Sequence, residues 1–214
     1  STVVALGGGV VGDLAGFTAA SYMRGCNLVQ VATSLLAMVD SSVGGKTAVD
    51  LPEGKNLVGA FYQPGLVVCD LGCLKTLPSE FVSDGMGEVV KYGVMCDREL
   101  FEWLKSPLAG QERRIVERCV SIKRDVVQAD EREAGQRKLL NLGHTVAHSI
   151  ELLSDFTVTH GHAVAAGLAI MARACAAKGL CTSEDAVQIE EMLAVHGLPS
   201  GTTQPACEIA QAAY

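Results

Sequence analysis

The sequence predicts a protein of two parts, a Rossmann-like α/β portion followed by an all-α domain. The short apolar run Thr2–Leu6 meets glycines at once and then an amphipathic stretch, Asp13–Tyr22. This order predicts a strand, a tight turn and a helix. Two more apolar runs bounded by turn residues, Leu28–Val31 and Leu66–Cys69, predict further strands. Residues 1–78 are therefore predicted to form the α/β domain.

Beyond Pro78 the apolar spacing is helical. Five helices are predicted, over residues 81–95, 112–128, 137–153, 163–178 and 183–196. The last has both ends marked, by Thr182 with Asp185 as a capping box and by Gly197 as a stop. Residues 79–214 are therefore predicted to form the helical domain.

In the first domain, the glycine-rich segment 43–59 shows little helical periodicity.

Composition narrows the class of protein. The chain has 214 residues, 49% of them hydrophobic, so it can bury a core, and its apolar runs stop short of the roughly 18 residues that span a bilayer. We expect no membrane partner, and a net charge of −7 argues against a nucleic-acid partner. The eight cysteines lack the spacing of zinc sites or secreted scaffolds, and no leader pattern is visible. The expected location is the cytoplasm.

The segment Gly7–Gly12 fits the pattern G-x-G-x-x-G between a predicted strand and a predicted helix. Backbone N–H groups at such a helix start can face a pyrophosphate with no Cβ in the way, which favours dinucleotide binding. A tight strand–helix turn without a ligand is the alternative. The acidic residue that usually holds the ribose, about twenty positions later, is absent, because Asn27 and Val31 occupy that region.

Two glycine-rich loops carry lysines, Lys46 after Gly44 and Gly45, and Lys55 after Gly54. The backbone can approach a ligand closely in such loops, and an ammonium can reach a phosphate. Their spacing is not that of a P-loop, which argues against hydrolysis of nucleotide triphosphates. Solvated loops with surface lysines are the alternative.

Four of the five histidines lie in one short segment, at His144, His148, His160 and His162. Imidazole is the usual neutral metal ligand near neutral pH, although most histidines in proteins are structural. Glu88 is expected to be partly buried among valines, where a metal would satisfy its charge. A glutamate with two histidines suits zinc or a similar divalent ion. A surface ion pair between Glu88 and Lys91 is the alternative.

One predicted helix face carries an unusual set of polar groups. Arg137, Asn141, His144 and His148 follow one another at steps of four, three and four, which places them together if residues 137–153 form a single helix. A solvated face would show mixed lysines and carboxylates instead. These four residues therefore predict a helix face that binds an anion and a metal.

Six segments follow one another between residues 5 and 151: A-L-G-G-G-V-V-G-D, S-Y-M-R-G, L-L-A-M-V-D-S-S-V-G-G-K-T, G-K-N-L-V-G-A-F, G-M-G-E-V-V-K-Y-G and L-N-L-G-H-T-V-A-H-S-I-E. In these segments the chain closely resembles 3-dehydroquinate synthase of the shikimate pathway. The resemblance implies an NAD-binding α/β domain, a helical C-terminal domain, an active site in the cleft and a homodimer.

The resemblance also implies roles for individual residues. The metal ligands, for Zn²⁺ or Co²⁺, would be Glu88, His144 and His160. NAD would be bound by Gly8, Gly9, Val10, Val11, Gly12, Asp13, Thr33, Ser34, Asp40, Lys46, Lys55, Cys73, Leu74, Lys75 and Thr76. The anionic sugar phosphate substrate would be held by Arg24, Lys46, Asn56, Lys91, Lys123, Arg137, Asn141 and His148.

The implied reaction converts 3-deoxy-D-arabino-heptulosonate 7-phosphate to 3-dehydroquinate and phosphate. NAD would oxidise a ring hydroxyl temporarily, so that the neighbouring C–H becomes acidic, phosphate leaves and the hydride returns before an aldol closure. Alternatives are another sugar phosphate cyclase, a metal-dependent NAD alcohol dehydrogenase of related fold, and a non-catalytic helical interaction module.

The chain departs from the family pattern in several places. The family shows H-G-E where this chain has His160-Gly161-His162, and Ser34 stands for a customary threonine. The family's preceding α/β portion and its lysine-bearing C-terminal tail are missing from these 214 residues. We therefore expect this piece alone to bind NAD poorly and to turn over slowly or not at all.

Overall fold

The computed structural model describes residues 1–51 and 54–213. Within these ranges the strands are β1 (Thr2–Gly7), β2 (Asn27–Ala32), β3 (Lys46–Leu51), β4 (Gly54–Phe61) and β5 (Leu66–Cys69). The α-helices are α1 (Gly9–Ser21), α2 (Ser79–Cys96), α3 (Arg98–Trp103), α4 (Glu112–Ala129), α5 (His144–Leu153), α6 (His160–Ala177), α7 (Ser183–Val195) and α8 (Ala206–Ala212). The predicted fold class, a Rossmann-like α/β part followed by a helical region, is confirmed.

The described residues divide into two compact units. The α/β unit comprises Ser1–Val82 with Glu112–Arg137, and the helical unit comprises Ser83–Gln111 with the residues from Lys138 onward. This grouping differs from the predicted domains 1–78 and 79–214, because α4 lies with the strands. Lys123 on α4 and Arg137 after it bind the backbone at Asp40 and Gly44, which ties this stretch to the α/β unit.

A parallel sheet in the order β1-β2-β5 forms the centre of the α/β unit. Ala5, Leu28 and Ala32 are buried on the face that α1 covers. On the other face, Val4 and Leu6 stay exposed, at 60% and 66%. Strands β3 and β4 pair as an antiparallel ribbon, most of which lies in the segment 43–59. The lack of helical periodicity in this segment is consistent with strands but did not predict them.

Helix α5 begins later than the sequence predicts. Residues 136–141 form a short 3-10 segment, and Gly143 then adopts a left-handed conformation, with φ of +80°, directly before α5. The single helix predicted over residues 137–153 is therefore wrong. Gly143 is needed for this break, because a Cβ there would lie 3.1–3.2 Å from Val164 and Leu168 of α6 in addition to the unfavourable φ.

The other predicted helices are present with shifted ends. The helix predicted from residue 163 begins three residues earlier, at His160, so the His160–His162 segment forms the first turn of α6. The capping box of Thr182 and Asp185 is present at the start of α7, and Gly197 follows its end with φ of +68°. Among the described residues, every helix is too short or too polar to cross a membrane.

Candidate metal centre and anion-binding residues

Glu88, His144 and His160 come together in the helical unit. Their ligand atoms lie within 4.8 Å of one another. Nε2 of His144 lies 3.4 Å from Oε1 of Glu88, and Nε2 of His160 lies 3.3 Å from the same oxygen. The Glu88 side chain is fully buried and also forms an ion pair with Lys91, one turn along α2. A carboxylate and two imidazoles converging on one point form a donor set suited to a divalent metal.

Close backbone contacts place α2 next to α6 at this point. A Cβ on Gly87 would lie 2.2 Å from the carbonyl oxygen of Gly161, and a Cβ on Gly161 would lie 1.7 Å from that of Asp84. Only glycine fits at either position, since real Cβ atoms do not approach oxygen this closely. Glu88 follows Gly87 and His160 precedes Gly161, so this contact sets the separation of two candidate ligands.

Helices α5 and α6 approach each other in the same way. A Cβ on Gly167 would lie 2.3 Å from the carbonyl oxygen of Gly143, the residue directly before His144. The break in the predicted helix at Gly143 therefore helps to place the candidate metal ligands. It starts α5 at His144, against the helix that carries His160.

The tautomer of His144 is set for metal binding. Its Nδ1 lies 3.2 Å from the carbonyl oxygen of Leu142, to which an Nδ1–H donates, so Nε2 carries the lone pair that faces Glu88. Burial lowers the pKa of His144, Glu88 opposes this effect, and the positive charges of Lys91 and His160 add to it, so that the pKa falls to about 4. His144 is therefore a neutral imidazole at physiological pH.

The pKa of His160 is shifted in the opposite direction. Burial works to lower its pKa, but the contacts of its ring with Glu151 and Glu88 outweigh burial and raise the pKa to about 10. A divalent ion on Nε2 would replace this proton and provide the positive charge that the two buried carboxylates require. The residues present therefore fit a metal.

His162 faces away from the metal set, toward Asp84. Its Nδ1 lies 2.8 Å from Oγ1 of Thr159 and 3.3 Å from Oδ1 of Asp84. The same carboxylate oxygen accepts the backbone N–H of Gly161 at 2.7 Å and of His162 at 3.2 Å. Burial raises the pKa of Asp84, but these hydrogen bonds outweigh burial and lower it. Of the two histidines in the first turn of α6, His160 is the one near Glu88.

His148 lies one turn after His144 on α5, exposed and with its ring centroid 5.5 Å from that of His144. The two share a helix face as predicted. Arg137 and Asn141 do not belong to that helix, because the chain breaks at Gly143. The predicted continuous face through Arg137, Asn141, His144 and His148 is therefore wrong.

Arg137 is buried in the α/β unit and held by the backbone. Its guanidinium donates to the carbonyl oxygens of Gly44, at 2.8 Å, and Glu131, and it lies over the ring of Phe61. Gly44 has φ of +106°, and a Cβ there would lie 2.6 Å from Nη2 of Arg137. Glycine at this position makes room for the guanidinium.

Lys123 is held in a similar way. Its ammonium lies 2.8 Å from Oδ1 of Asp40 and donates to the carbonyl oxygen of the same residue at 2.6 Å. Asp40 lies in a π-helical segment, Ala37–Ser41, that follows β2. Asp13 of α1 is electrostatically coupled to both. Burial raises the pKa of Asp13, Lys123 opposes this rise, and Asp40 and Asp50 add to it, so that the pKa is about 6.

Three predicted NAD-binding segments follow the carboxyl ends of neighbouring parallel strands. Gly8 caps α1 directly after β1, Thr33 and Ser34 follow β2, and residues 73–76 belong to the 3-10 turn and its cap after β5. The carboxyl edge of a parallel sheet is where α/β proteins bind ligands. Val10 and Val11 are exposed in the first turn of α1, while Gly12 is buried against Gln30.

The remaining predicted residues lie elsewhere in the α/β unit. Lys46 begins β3 and forms an ion pair with Glu133, whereas Lys55 and Asn56 are exposed on β4. Arg24 stands at the far end of α1 from Gly8, about 20 Å away along the helix. The single chain therefore does not bring Arg24 to the glycine turn.

Sequence reasoning missed two carboxylates of the helical unit. Glu151 lies 3.5 Å from Nδ1 of His160, and Asp84 caps the start of α6. A signal for each was present. Glu151 follows His144 by seven residues, and Asp84 precedes Glu88 by four, spacings that share a helix face.

Comparison with known sequences identifies the family of the chain. Sequence profiles described as 3-dehydroquinate synthase N-terminal and 3-dehydroquinate synthase C-terminal match residues 1–84 and 85–213. The chain belongs to the 3-dehydroquinate synthase family. The family resemblance found from the six sequence segments is thus confirmed.

Solved structures of other members of this superfamily are similar over the whole chain. A 2-epi-5-epi-valiolone synthase from Streptomyces hygroscopicus subsp. jinggangensis 5008, with NAD⁺ and Zn²⁺ bound, has a TM-score of 0.92 and 27% identity, over 100% of this chain and 62% of that one. A 2-deoxy-scyllo-inosose synthase complexed with carbaglucose-6-phosphate, NAD⁺ and Co²⁺ has a TM-score of 0.90 and 30% identity, over 98% and 60%. The chain thus spans about three fifths of these proteins.

The fold extends to more distant proteins. An iron containing alcohol dehydrogenase has a TM-score of 0.59 at 13% identity, over 98% of this chain and 66% of that one. At this identity the likeness concerns the fold alone.

Proposed function

We propose that the protein is a metal- and NAD-dependent sugar phosphate cyclase that converts 3-deoxy-D-arabino-heptulosonate 7-phosphate to 3-dehydroquinate and phosphate. The observation that carries the proposal is the convergence of Glu88, His144 and His160 in a chain that matches both halves of the 3-dehydroquinate synthase family. The reaction would be a carbon–oxygen lyase reaction, since phosphate is eliminated.

The metal would be held by Glu88 and by Nε2 of His144 and His160. Zn²⁺ and Co²⁺ are the candidates, because the two similar cyclases were solved with these ions. Both ions bind nitrogen and oxygen donors. Three protein ligands would leave coordination positions on the ion open for substrate oxygens. Lys91, paired with Glu88, would place a positive charge beside those oxygens.

NAD would be bound at the carboxyl edge of the parallel sheet. The start of α1 at Gly8 and Gly9 offers backbone N–H groups to a pyrophosphate, and Thr33, Ser34 and Thr76 follow the neighbouring strands. Asp13 and Asp40 would face the cofactor with Lys123 close by. Both similar cyclases contain NAD⁺.

The substrate would be an anionic sugar phosphate. The chain is acidic overall, so an anion must meet locally concentrated positive charge. Lys46, Lys91, Lys123 and Arg137 would supply that charge, with Asn56, Asn141 and His148 as hydrogen-bonding groups. Arg24, which is distant from the glycine turn within one chain, would act on substrate only in the homodimer that the family resemblance predicts.

Bound at these residues, a metal would supply a Lewis acid for a substrate oxygen, and NAD would supply a reversible hydride acceptor. The chain's own residues would perform the remaining tasks. Lys91, Lys123 and Arg137 would stabilise negative charge on substrate oxygens. His148, exposed beside His144, would hold the phosphate as it leaves.

A second candidate is a different cyclase of the same superfamily. It is favoured by the similarity to the valiolone and inosose synthases, at 27% and 30% identity. The residues that separate the candidates are those that would bind the carboxylate of the heptulosonate, Lys123, Arg137 and Asn141. A cyclase whose sugar phosphate substrate lacks a carboxylate has less need of them.

Product analysis tests the proposal. The protein would be incubated with NAD⁺, Zn²⁺ and one substrate at a time: the heptulosonate phosphate, a heptulose phosphate without the carboxylate, or glucose 6-phosphate. Enzyme concentration would be high enough to detect a few turnovers. We expect phosphate and 3-dehydroquinate only from the first substrate, without net NADH, and none from the His144→Ala control. Net NADH would instead identify a dehydrogenase, and turnover of another sugar phosphate a different cyclase.

A further inference from the structure

His160 lies between two buried carboxylates. Its Nε2 is 3.3 Å from Oε1 of Glu88, and its Nδ1, on the other side of the ring, is 3.5 Å from Oε1 of Glu151. The Glu151 side chain is only 5% exposed. Burying a carboxylate is unfavourable unless a charge or a hydrogen-bond donor stabilises it. Of its contacts, the one with the His160 ring leads directly to a candidate metal ligand.

We propose that Glu151 is a positioning residue of the metal site, whose carboxylate accepts Nδ1–H of His160 and so aims Nε2 at the metal. The inference rests on the proposed metal site of Glu88, His144 and His160, and it extends that site to a residue outside the ligand set. Glu151 would not touch the metal or the substrate.

The two histidine ligands differ in what holds them. Nδ1 of His144 faces a neutral backbone carbonyl, that of Leu142, whereas Nδ1 of His160 faces a carboxylate. A carboxylate behind an imidazole fixes the tautomer and the ring orientation and makes Nε2 a stronger donor, and its removal typically weakens metal binding by about 10- to 100-fold. His160 therefore depends on one side chain, whereas His144 does not.

The position of Glu151 in the fold supports this role. Glu151 lies seven residues after His144, so helix α5 presents one ligand from its first turn and the carboxylate behind the other ligand from its last. Helix α6 contributes His160 from its own first turn. The packing of α5 against α6 thus brings His160 close both to His144 and to Glu151.

The test is metal affinity, measured by competition with a chromophoric chelator for Zn²⁺ and by the visible spectrum of the Co²⁺ form. The variants are Glu151→Gln, which keeps size and an acceptor oxygen but removes the charge, and Glu151→Ala. The matched control is Glu191→Gln, at an exposed carboxylate of α7. Far-UV circular dichroism would establish that each variant is folded.

We expect Zn²⁺ affinity to fall about 10-fold in Glu151→Gln and up to about 100-fold in Glu151→Ala, with the Co²⁺ absorption bands displaced in both. The control should match the parent. Parental affinity with an unchanged Co²⁺ spectrum in Glu151→Gln would overturn the inference, and this variant decides the question if Glu151→Ala does not fold. Absence of metal binding in the parent protein would instead overturn the proposed function.

Discussion

The α/β unit and the helical unit hold their buried charges in different ways. In the α/β unit, the Arg137 guanidinium donates to the backbone carbonyl oxygens of Gly44 and Glu131, and the Lys123 ammonium donates to that of Asp40 in addition to its ion pair with the Asp40 carboxylate. In the helical unit, Glu88 is in contact with the ionisable side chains Lys91, His144 and His160. Backbone carbonyls cannot change charge, so they fix a cation permanently. Side chains can exchange a proton for a metal, so the helical unit is the part suited to bind one.

The largest effect on Zn²⁺ binding by the helical unit is expected when a candidate ligand is removed. We expect His144→Ala to weaken Zn²⁺ binding by at least about 1,000-fold, or about 4 kcal/mol, because one of three protein ligands is lost. Glu88→Gln should have a similar effect. Chelator competition would measure both, with circular dichroism as the check on folding.

His162→Gln is the matched control for the ligand variants. Its side chain contacts Asp84 and Thr159 rather than Glu88, so Zn²⁺ affinity should stay within about threefold of the parent. If His162→Gln lost metal and His160→Ala kept it, the assignment of the ligand in the first turn of α6 would be reversed.

The next largest effect is expected when the two helices that carry Glu88 and His160 are forced apart. We expect Gly87→Ala to lower the free energy of unfolding by about 3 kcal/mol, the upper end for overpacking, since a Cβ there meets the backbone of Gly161 at 2.2 Å. Metal affinity should fall with it. Urea denaturation would measure the loss.

Gly201→Ala is the control for the glycine variant, because nothing lies within 4 Å of a Cβ at that position. Its stability should equal that of the parent within about 0.5 kcal/mol. A Gly87→Ala protein as stable as Gly201→Ala would show that α2 and α6 are not in backbone contact at this point.

The α/β unit should respond differently to loss of a buried charge. We expect Arg137→Met to lower the free energy of unfolding by about 2 kcal/mol, because the carbonyl groups of Gly44 and Glu131 lose their donor. Arg132→Met, at an exposed arginine nearby, should have no such effect. Zn²⁺ affinity should be unchanged in both, and a loss of affinity in Arg137→Met would contradict the division of roles between the units.

The sequence predicted the candidate ligands but not how they are held. Glu88 and the histidines were visible because their residue types suit a metal, and the class of fold followed from apolar spacing. The break at Gly143 was missed because residues 137–153 keep a helical period across it. The reason for the break, backbone contact with α6 at Gly167, is a tertiary contact that local spacing does not encode.

Arg137 shows the same limit in the α/β unit. Sequence spacing placed it on a face with Asn141 and His144, whereas the structure places its guanidinium against Gly44, 93 positions away. The short-range signal was an arginine followed by an asparagine and two histidines. Its local geometric interpretation required a continuous helix, and the left-handed Gly143 removes that condition.

The smallest expected effect is a pH dependence of stability in the α/β unit. Burial raises the pKa of Asp13 to about 6, above its ordinary value of 3.8. The folded chain thus holds this proton more tightly than the unfolded chain. The stability that the neutral carboxyl contributes is fully present below pH 3.8 and is lost as pH rises through about 6.

Asp13→Asn removes this dependence, because the amide stays neutral at every pH. We expect the variant to gain about 1 kcal/mol over the parent above pH 6, after allowance for solvent screening at a partly exposed group, and to match it near pH 4. Urea denaturation at both pH values would measure the difference. If the gain were equal at the two pH values, it would come from side-chain packing rather than from the charge of Asp13. Since Lys123 opposes the pKa rise, Lys123→Met should enlarge the pH dependence of the parent, which links Asp13 to the carbonyl-held cation of the same unit.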